Sequence, residues 1–231
     1  MKKFISLILI LSFVFCFAAC GGNETPNENN DNNIVENVGD NSDENNIITS
    51  SKEITLEDLE NAPVSPESDF EVYEPDSGVV IIDSYIGNEE IVVIPETING
   101  KTVTEIADGA FVNADTVRAV KLADTIEVVG ENAFHAVDEL EIIVTGSNLK
   151  KVEDYAFTNC PKLRCLELND GLEYIGGCAI FSDPCLKEFY IPGSVKEIGS
   201  ILPEEDAVVL CEAGSVAENY CKGLGCNYRI K

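Results

Sequence analysis

Basic residues and histidine are scarce in this sequence. Its 231 residues include 15 lysines and arginines against 42 aspartates and glutamates, which gives a formal net charge of −27 at pH 7. From residue 77 onward the imbalance persists, with 26 acidic and 12 basic residues. Such a surface repels phosphate backbones and lacks the cations whose binding releases counterions from nucleic acid. We therefore expect no nucleic-acid partner and no ligand that is held by a basic patch.

Catalytic motifs are also missing. His135 is the only histidine, and the patterns G-x-S-x-G, P-loop and H-E-x-x-H do not occur. A lone histidine beside a buried repeat position is expected to be a solvated surface residue rather than a catalytic base. We therefore predict a protein that is not an enzyme and that needs no cofactor and no metal. A small carboxylate-based hydrolase stays open as an alternative, because acidic residues are abundant.

The N-terminal residues 1–19 have the organisation of a secretory signal peptide. Two lysines precede an apolar run over residues 4–19 that ends in small residues. This run is shorter than the ~20 apolar residues that a membrane-spanning helix needs. The letters FAAC at its end resemble the lipobox of bacterial lipoproteins, with Phe17 where leucine is usual. The resemblance implies that Cys20 carries a lipid that anchors the chain in the membrane; ordinary cleavage that leaves Cys20 unmodified is the alternative.

Residues 20–76 differ sharply from the apolar run before them. They are rich in Asn, Glu and Asp, and contain no basic residue before Lys52. A stretch with so few apolar side chains cannot offset the entropy that ordering would cost. We therefore expect a disordered acidic linker with an r.m.s. reach on the order of 40 Å. The letters EITLEDLENAP, at residues 53–63, are expected to form at most one short helical turn without a functional role.

A period of 23 residues runs through the remainder of the chain. Ala-Phe recurs at residues 110–111, 133–134 and 156–157. Blocks aligned on this period from residue 117 keep five apolar columns, which only Thr145 interrupts. One of these columns contains Val120, Ile143, Leu166 and Phe189. A fixed period of this length indicates stacked units, each of which buries its apolar edge against its neighbours.

Within each block, the spacing L-x-x-L-x-L predicts a short strand with alternate residues inward. The aromatic residue of Ala-Phe is expected to fill the interior of its coil and to stack on the next one. The predicted structural core is therefore a ladder of Phe111, Phe134 and Phe157. The sequence thus predicts a repeat solenoid, built from short strands with short helical or loop segments between them.

The blocks resemble a known repeat family. IPETINGKTVTEIADGAF, followed by L-x-x-L-x-L and later by I-x-x-I-G-x-x-A-F-x-x-C, resembles the BspA-like leucine-rich repeat from about residue 78 to the end. This resemblance implies a leucine-rich-repeat domain over residues 77–231 with about five coils of 23 residues. Asn99-Gly100 is a strong signal for a hairpin in the first coil. The later coils are expected to be irregular, because Ala179-Ile180-Phe181 shifts the aromatic residue by one place.

The C-terminal letters AVVLCEAGSVAENYCKGLGCNYRIK predict a strand, a helix and a strand that close the solenoid. Ser215 and Glu218 have the spacing of a capping box at the start of the helix. Gly223 is the expected C-terminal stop of that helix. Such a cap is needed because an uncovered last coil would leave apolar surface in water.

Seven cysteines lie between Cys160 and Cys226, so they cannot all pair with one another. Three alternatives stay open for them: buried free thiols, one or two disulfides such as Cys221 with Cys226, and a metal site. Their spacings fit no standard zinc pattern.

Strand residues that point outward should form columns on an open face of the stack. Repeat proteins commonly bind their partners along such a face. The candidate binding residues are Lys121, Ile142, Val144, Glu167, Asn169, Glu188 and Tyr190. Ile142, Val144 and Tyr190 would be the apolar anchors, because desolvated aromatic and apolar side chains dominate binding energy. The alternative is that these are strand residues without a binding role.

These features together predict a lipid-anchored protein on the outer face of the cell membrane of a Gram-positive bacterium. Its repeat domain would bind an unidentified extracellular protein or glycan, and the family resemblance implies a role in adhesion or host contact. A structural protein of the cell envelope without a soluble partner is the main alternative to such a binding module.

Overall fold

The computed structural model describes residues 52–75 and 78–231. The predicted signal peptide, Cys20 and most of the predicted linker lie outside these residues. Ile54–Lys231 forms one compact unit. None of the helices in the described part of the chain is long and apolar enough to cross a bilayer.

Short strands dominate this unit, and helices are few. The helices are α1 (Leu56–Asn61) and α2 (Val216–Leu224), and a 3-10 turn covers Glu67–Asp69. The strands are β1 (Phe70–Tyr73), β2 (Val79–Tyr85), β3 (Ile91–Val93), β4 (Thr97–Ile98), β5 (Lys101–Ile106), β6 (Ala119–Lys121), β7 (Val128–Val129), β8 (Ile142–Val144), β9 (Lys151–Val152), β10 (Cys165–Glu167), β11 (Tyr174–Phe181), β12 (Glu188–Tyr190), β13 (Glu197–Leu202), β14 (Val208–Cys211) and β15 (Tyr228–Ile230).

The strands stack as a β-solenoid of about seven turns. One sheet has the order β1-β2-β5-β7-β9-β11-β13 with β4 beside β5, a second has the order β3-β6-β8-β10, and a third has the order β12-β14-β15. Neighbouring coils pair in parallel at an offset of one period, as in Ala119 beside Ile142 and Ile142 beside Cys165. The predicted solenoid is confirmed, although it has about seven turns rather than about five.

Antiparallel pairing is confined to the N-terminal end. Strand β1 pairs with β2, and β4 pairs with β5 across the Asn99-Gly100 turn. Both turn residues have positive φ, 53° at Asn99 and 71° at Gly100. This geometry is the one that Asn-Gly favours in a two-residue hairpin, so the hairpin expected in the first coil is present.

Aromatic rings form a ladder through the interior of the coils. Phe111, Phe134 and Phe157 are fully buried, and their ring centroids lie 4.6 and 5.7 Å apart in stacked pairs. Tyr85 extends the ladder by one ring, 5.2 Å from Phe111. Offset stacks of this kind stabilise a core beyond the burial of the rings alone.

The ladder ends where the sequence shifts the aromatic residue by one place. Ile180 takes the interior position one period after Phe157 and is buried, whereas Phe181 is 39% exposed. The backbone of the Phe positions also links the coils, because Phe134 N–H donates to the carbonyl of Ala156 at 2.8 Å. The expected irregularity of the later coils therefore begins at this substitution.

Each coil turns at a residue in the left-handed region of backbone space. Gly109, Asn132, Tyr155 and Cys178 follow one another at the repeat period, with φ values of 68°, 55°, 57° and 51°. The N–H groups of the first three donate to carbonyls of the following coil at 2.9 to 3.0 Å. Only glycine adopts this conformation without a steric cost. The stacking of coils therefore imposes the turn on Tyr155 and Cys178, which do not favour it, whereas asparagine, as at Asn132, adopts it more readily.

The N-terminal residues Ile54–Asn61 pack on the repeat unit instead of extending away from it. Thr55 and Asp58 form a capping box at the start of α1, and Leu59 is buried. Farther along, β1 adds to the edge of the first sheet. The expectation of a disordered linker over residues 20–76, with a domain boundary at 77, is therefore wrong for residues 54–75.

The C-terminal cap contains a strand, a helix and a strand, as expected. The Ser215 hydroxyl accepts a hydrogen bond from Glu218 N–H, and the Glu218 carboxylate accepts one from Gly214 N–H. Helix α2 ends at Gly225, which has a φ of 78°, whereas Gly223 lies within the helix. The expected stop at Gly223 is therefore wrong by two residues, because the left-handed cap forms one turn after Cys221, whose carbonyl accepts Gly225 N–H.

Candidate binding surface

We define the open face as the outward surface of β3, β6, β8 and β10 together with β12, β14 and β15. Side chains alternate across these strands: Val120, Ile143 and Leu166 belong to the main core, whereas Ala119 and Ile142 belong to a separate apolar cluster on the outer side. This alternation follows from the twofold side-chain period of a strand. The two clusters are therefore divided by the sheet itself.

The outer cluster is covered by the segment Ile54–Val64, which we call the strap. Ile54 and Leu59 of the strap pack on Ala119, Ile142 and Cys165, and Leu59 is only 1% exposed. Leu56 lies partly buried at the edge of the same cluster. Because Ile142 is fully buried here, the prediction that it is an exposed anchor is wrong while the strap is in place.

Polar contacts hold the strap at both ends. At its start, the carbonyl of Ile54 accepts a hydrogen bond from Arg164 Nη2 at 2.5 Å. Just beyond its end, buried Ser65 exchanges hydrogen bonds with the backbone of Val93, donating from N–H at 2.9 Å and accepting at Oγ at 3.1 Å. The Ser65 hydroxyl also lies 3.0 Å from a carboxylate oxygen of Glu89. The strap therefore crosses the open face from β10 to β3.

A charge cluster lies at the edge of the covered strands. Glu141 Oε1 accepts from Arg118 Nε at 2.7 Å, and Glu141 Oε2 accepts from Arg164 Nη2 at 3.1 Å. Arg118 also reaches Glu90 at 3.1 Å. Arg118, Glu141 and Arg164 are one period apart, so the parallel register stacks opposite charges in a column. The Glu141 side chain is only 13% exposed, and a carboxylate this far from water needs both partners.

Three other candidate residues lie around the covered area. Val144 is partly buried against the outer cluster, and Lys121 is half-buried on β6. Burial raises the pKa of Glu167 above its usual value, and the negative charge of Glu60 on the strap adds to the increase, while Lys231 opposes it. Glu167 therefore lies on the last covered strand, β10, at the border with the uncovered strands.

Asn169 has a role between coils rather than on an exposed face. Its side-chain amide donates to the carbonyls of Ser147 and Leu149 at 3.0 and 3.2 Å. Its backbone N–H donates to Thr145 Oγ1 at 3.0 Å. This bond explains why Thr145 interrupts an apolar column, since its hydroxyl supplies the acceptor. Asn169 is thus a poor candidate for ligand contact.

The part of the open face beyond β10, which we call the uncovered half, carries different chemistry. Tyr190 OH donates to Glu212 Oε1 at 2.8 Å, and Lys231 Nζ lies 4.1 Å from the centre of the Tyr190 ring. Beside it, Arg229 pairs with exposed Glu188 at 2.6 Å. Burial and the Glu212 carboxylate raise the pKa of Tyr190, so its hydroxyl stays a donor at neutral pH. An aromatic ring with a cation on its face and two carboxylates nearby is therefore held in a fixed orientation.

The cysteines of the described residues divide between two of the three alternatives. Cys185 is disulfide-bonded. Cys160, Cys178, Cys211, Cys221 and Cys226 are free thiols, so the expected example of a disulfide between Cys221 and Cys226 is wrong. Burial raises the pKa of Cys160 and of Cys221 to about 12, so both stay neutral and behave as small apolar residues. Within residues 52–75 and 78–231, no group of three His, Cys, Asp or Glu side chains could hold a metal ion.

A small cavity of about 10 Å³ lies at the ends of β11 and β13, and its lining includes Asp183 and Glu204. Burial raises the pKa of Asp183 to about 7, and the Glu204 charge adds to the increase. Asp183 Oδ1 accepts from Cys160 N–H at 2.9 Å, which fixes the loop between coils. Enzyme pockets usually enclose at least ~300 Å³. This geometry gives the hydrolase alternative no support. His135, which was expected to be solvated, is half-buried.

The strand stack, its one-period register and its outward-facing sheet define the unit as a β-solenoid repeat protein. Residues 90–202 match the BspA type Leucine rich repeat region, in 6 copies. The resemblance to the BspA-type leucine-rich repeat that the sequence indicated is therefore confirmed over residues 90–202.

Solved structures of bacterial leucine-rich-repeat proteins are similar to this one. A T. pallidum leucine-rich-repeat protein is 29% identical over 64% of this chain and 71% of its own, with a TM-score of 0.61. A leucine-rich-repeat protein from Bacteroides ovatus is 26% identical, with a TM-score of 0.53, over 62% of this chain and 41% of its own. No curated protein sequence matches the chain.

Proposed function

We propose that this protein is a non-enzymatic binding module, exported and displayed on the surface of a bacterium, that contacts an extracellular protein or glycan through the uncovered half of its open face. The observation that supports this most directly is Tyr190. Its ring is partly exposed, is fixed by Glu212 and Lys231, and lies outside the stacked aromatic core. Oriented aromatic side chains with charged neighbours are typical anchors of binding surfaces.

A binding assay on the full chain tests this proposal, with Tyr190→Ala as the variant. Tyr174→Ala is a matched control, because Lys151 Nζ lies 5.2 Å from the centre of the Tyr174 ring on the opposite sheet. The ligands are immobilised extracellular-matrix proteins, mucins and cell-wall glycans at physiological salt. We expect saturable binding that Tyr190→Ala weakens at least about tenfold and Tyr174→Ala leaves unchanged.

Two results would contradict the binding role. Equal losses in both tyrosine variants would mean that the effect is not local to the uncovered half. Absence of binding to the whole panel by a folded chain would instead favour a structural protein of the cell envelope, the main alternative.

We also propose that Cys20 carries the lipid that holds the protein on the outer face of the membrane, in adhesion or host contact. The support is the FAAC sequence that precedes the acidic stretch. In a Gram-positive host, Cys20→Ala should release the chain into the medium, whereas Cys16→Ala, within the predicted signal peptide, should leave it in the membrane fraction. Retention of the Cys20→Ala chain would contradict lipid anchoring, because stable attachment needs the acyl chains.

A further inference from the structure

The strap occupies the part of the open face that has the most apolar floor. Ile54 and Leu59 fill a surface formed by Ala119, Ile142 and Cys165, and Ile91 lies at its edge. A surface of this kind accepts one face of a short amphipathic helix, as helix-binding grooves do in other proteins. The strap contains such a short helix, α1, and Ile54, Leu56 and Leu59 in and just before it all pack on this surface.

The apolar contacts of the strap are separate from those of the main core. The outer cluster shares no residue with the main core, because the sheet β3-β6-β8-β10 lies between them. Release of the strap breaks the bond from Arg164 Nη2 to the Ile54 carbonyl, and Arg164 Nη2 is also bonded to Glu141. Ser65 bonds to Val93 and lies outside the outer cluster. The strap can therefore leave the face as a unit, hinged just before Ser65, without exposing the aromatic ladder.

One carboxylate of the strap interacts unfavourably with a carboxylate of the strands that it covers. Glu60 follows Leu59 and lies close enough to Glu167 on β10 to raise the pKa of that carboxyl, after the larger effect of burial. The segment is acidic throughout, with Glu57, Asp58 and Glu60 in six helical residues. Like charges that face each other weaken an interface. The apolar side chains of the strap therefore stabilise its binding to the open face, whereas its negative charge weakens that binding.

We infer that the covered half of the open face is a helix-binding groove that the strap occupies in cis, and that a partner protein presenting a short helix with the same apolar spacing displaces it. The inference rests on the proposed function, because it names the partner class of the same open face. The strap is joined to the groove by a short connection, so it competes at a high effective concentration. A partner gains access only in the fraction of molecules whose strap is released.

A labelled peptide of residues 52–64, KEITLEDLENAPV, serves as the helix probe. It is titrated into the full chain and into the full chain with Leu59→Asp, which places a charge against the apolar floor. Val64→Asp is the matched control, because Val64 is on the same segment and 61% exposed. We expect the Leu59→Asp chain to bind the peptide at least about tenfold more tightly than the wild-type and Val64→Asp chains.

Several outcomes would overturn the inference. These are equal affinity for all three chains, no binding to the Leu59→Asp chain, or equal binding of a peptide that itself carries Leu59→Asp. Dimers of the wild-type chain that exchange straps would also overturn it, by making a second copy the occupant. Should the Leu59→Asp chain not fold, Ile54→Asp removes the other buried anchor and carries the same expectation. The peptide assay does not depend on Tyr190, so failure here is distinguishable from failure of the proposed ligand binding.

Discussion

The covered and uncovered halves of the open face are both built from parallel strands, but their surface chemistry is opposite. On β6, β8 and β10 the outward residues are Ala119, Ile142 and Cys165, which are buried under the strap. On β12 the corresponding outward residues are Glu188 and Tyr190, which pair with charged groups of the uncovered half. The covered strands keep a constant register, whereas β12, β14 and β15 pair at shorter offsets, with Glu188 beside Val208 and Val209 beside Tyr228. Strands run parallel in both halves, so the outward side chains decide which half needs a cover. A repeat scaffold fixes shape and leaves specificity to such residues.

A large contrast is expected between two carboxylates that both pair with arginine. Glu141 lies between Arg118 and Arg164 and is 13% exposed, whereas Glu188 pairs with Arg229 and is 41% exposed. Glu141→Gln should cost about 3 kcal/mol, because two arginines near the covered half lose their counter-charge. Glu188→Gln should cost under about 1 kcal/mol. Chemical denaturation of both variants measures the difference, and similar midpoints would contradict it.

A second contrast separates the strap from the core. Leu59→Ala should lower the amide protection of residues 54–61 at least about tenfold while leaving the main unfolding transition within about 1 kcal/mol. The reason is that Leu59 belongs to the outer cluster alone. Phe134→Ala, in the aromatic ladder, should instead cost about 3–5 kcal/mol. Hydrogen exchange measures the amide protection, and chemical denaturation measures the unfolding free energy. If Leu59→Ala lowered the unfolding free energy as much as Phe134→Ala does, the strap would belong to the same cooperative unit as the core.

The uncovered half should respond weakly to loss of one hydrogen bond. Tyr190→Phe removes the donor to Glu212 but keeps the ring beneath Lys231. We expect a cost of about 1 kcal/mol or less in unfolding free energy. Thermal denaturation provides the measurement. A cost of several kcal/mol would show that this half is as strongly built into the fold as the covered half.

The smallest expected effect is a pH dependence at the boundary between the halves. The pKa of Glu167 is raised by burial and by Glu60, and Lys231 opposes the increase. The folded state therefore favours the protonated form, so stability falls as pH rises from below the ordinary value of 4.5 through the raised pKa. Glu167→Gln should be more stable than the wild type at pH 7 and lose that advantage near pH 3. An advantage that does not change between these pH values would contradict this assignment.

The repeat was predictable because its signal is redundant. Apolar columns recur in every block, and the Ala-Phe pairs mark the same interior site three times, so a single exception such as Thr145 does not hide the period. The displaced aromatic at Phe181 was equally visible. These patterns reflect which positions are buried, and the periodicity of apolar residues in a sequence directly indicates buried positions.

The strap was missed because it lies in a stretch whose average composition indicates disorder. Its local signals were present: Thr55 and Asp58 have capping-box spacing, and Ile54 and Leu59 fall on one side of the segment. These signals predict a stable helix only if an apolar surface covers it, and the residues that form this surface are distant from the strap in the sequence. The left-handed conformation of Tyr155 was unpredictable for a similar reason, since the stack and not the side chain imposes it.

The path of the strap has a consequence for how this repeat array can evolve. It is fixed to Val93 on β3 at one end and to Arg164 beside β10 at the other, and neighbouring strands are about 4.8 Å apart. The length of the strap therefore matches the width of the four strands that it crosses. After duplication or loss of a coil between β3 and β10, the strap would be too short or too long to make both contacts. Changes in coil number are expected to be tolerated better beyond β10, where none of the described segments crosses the strands in this way.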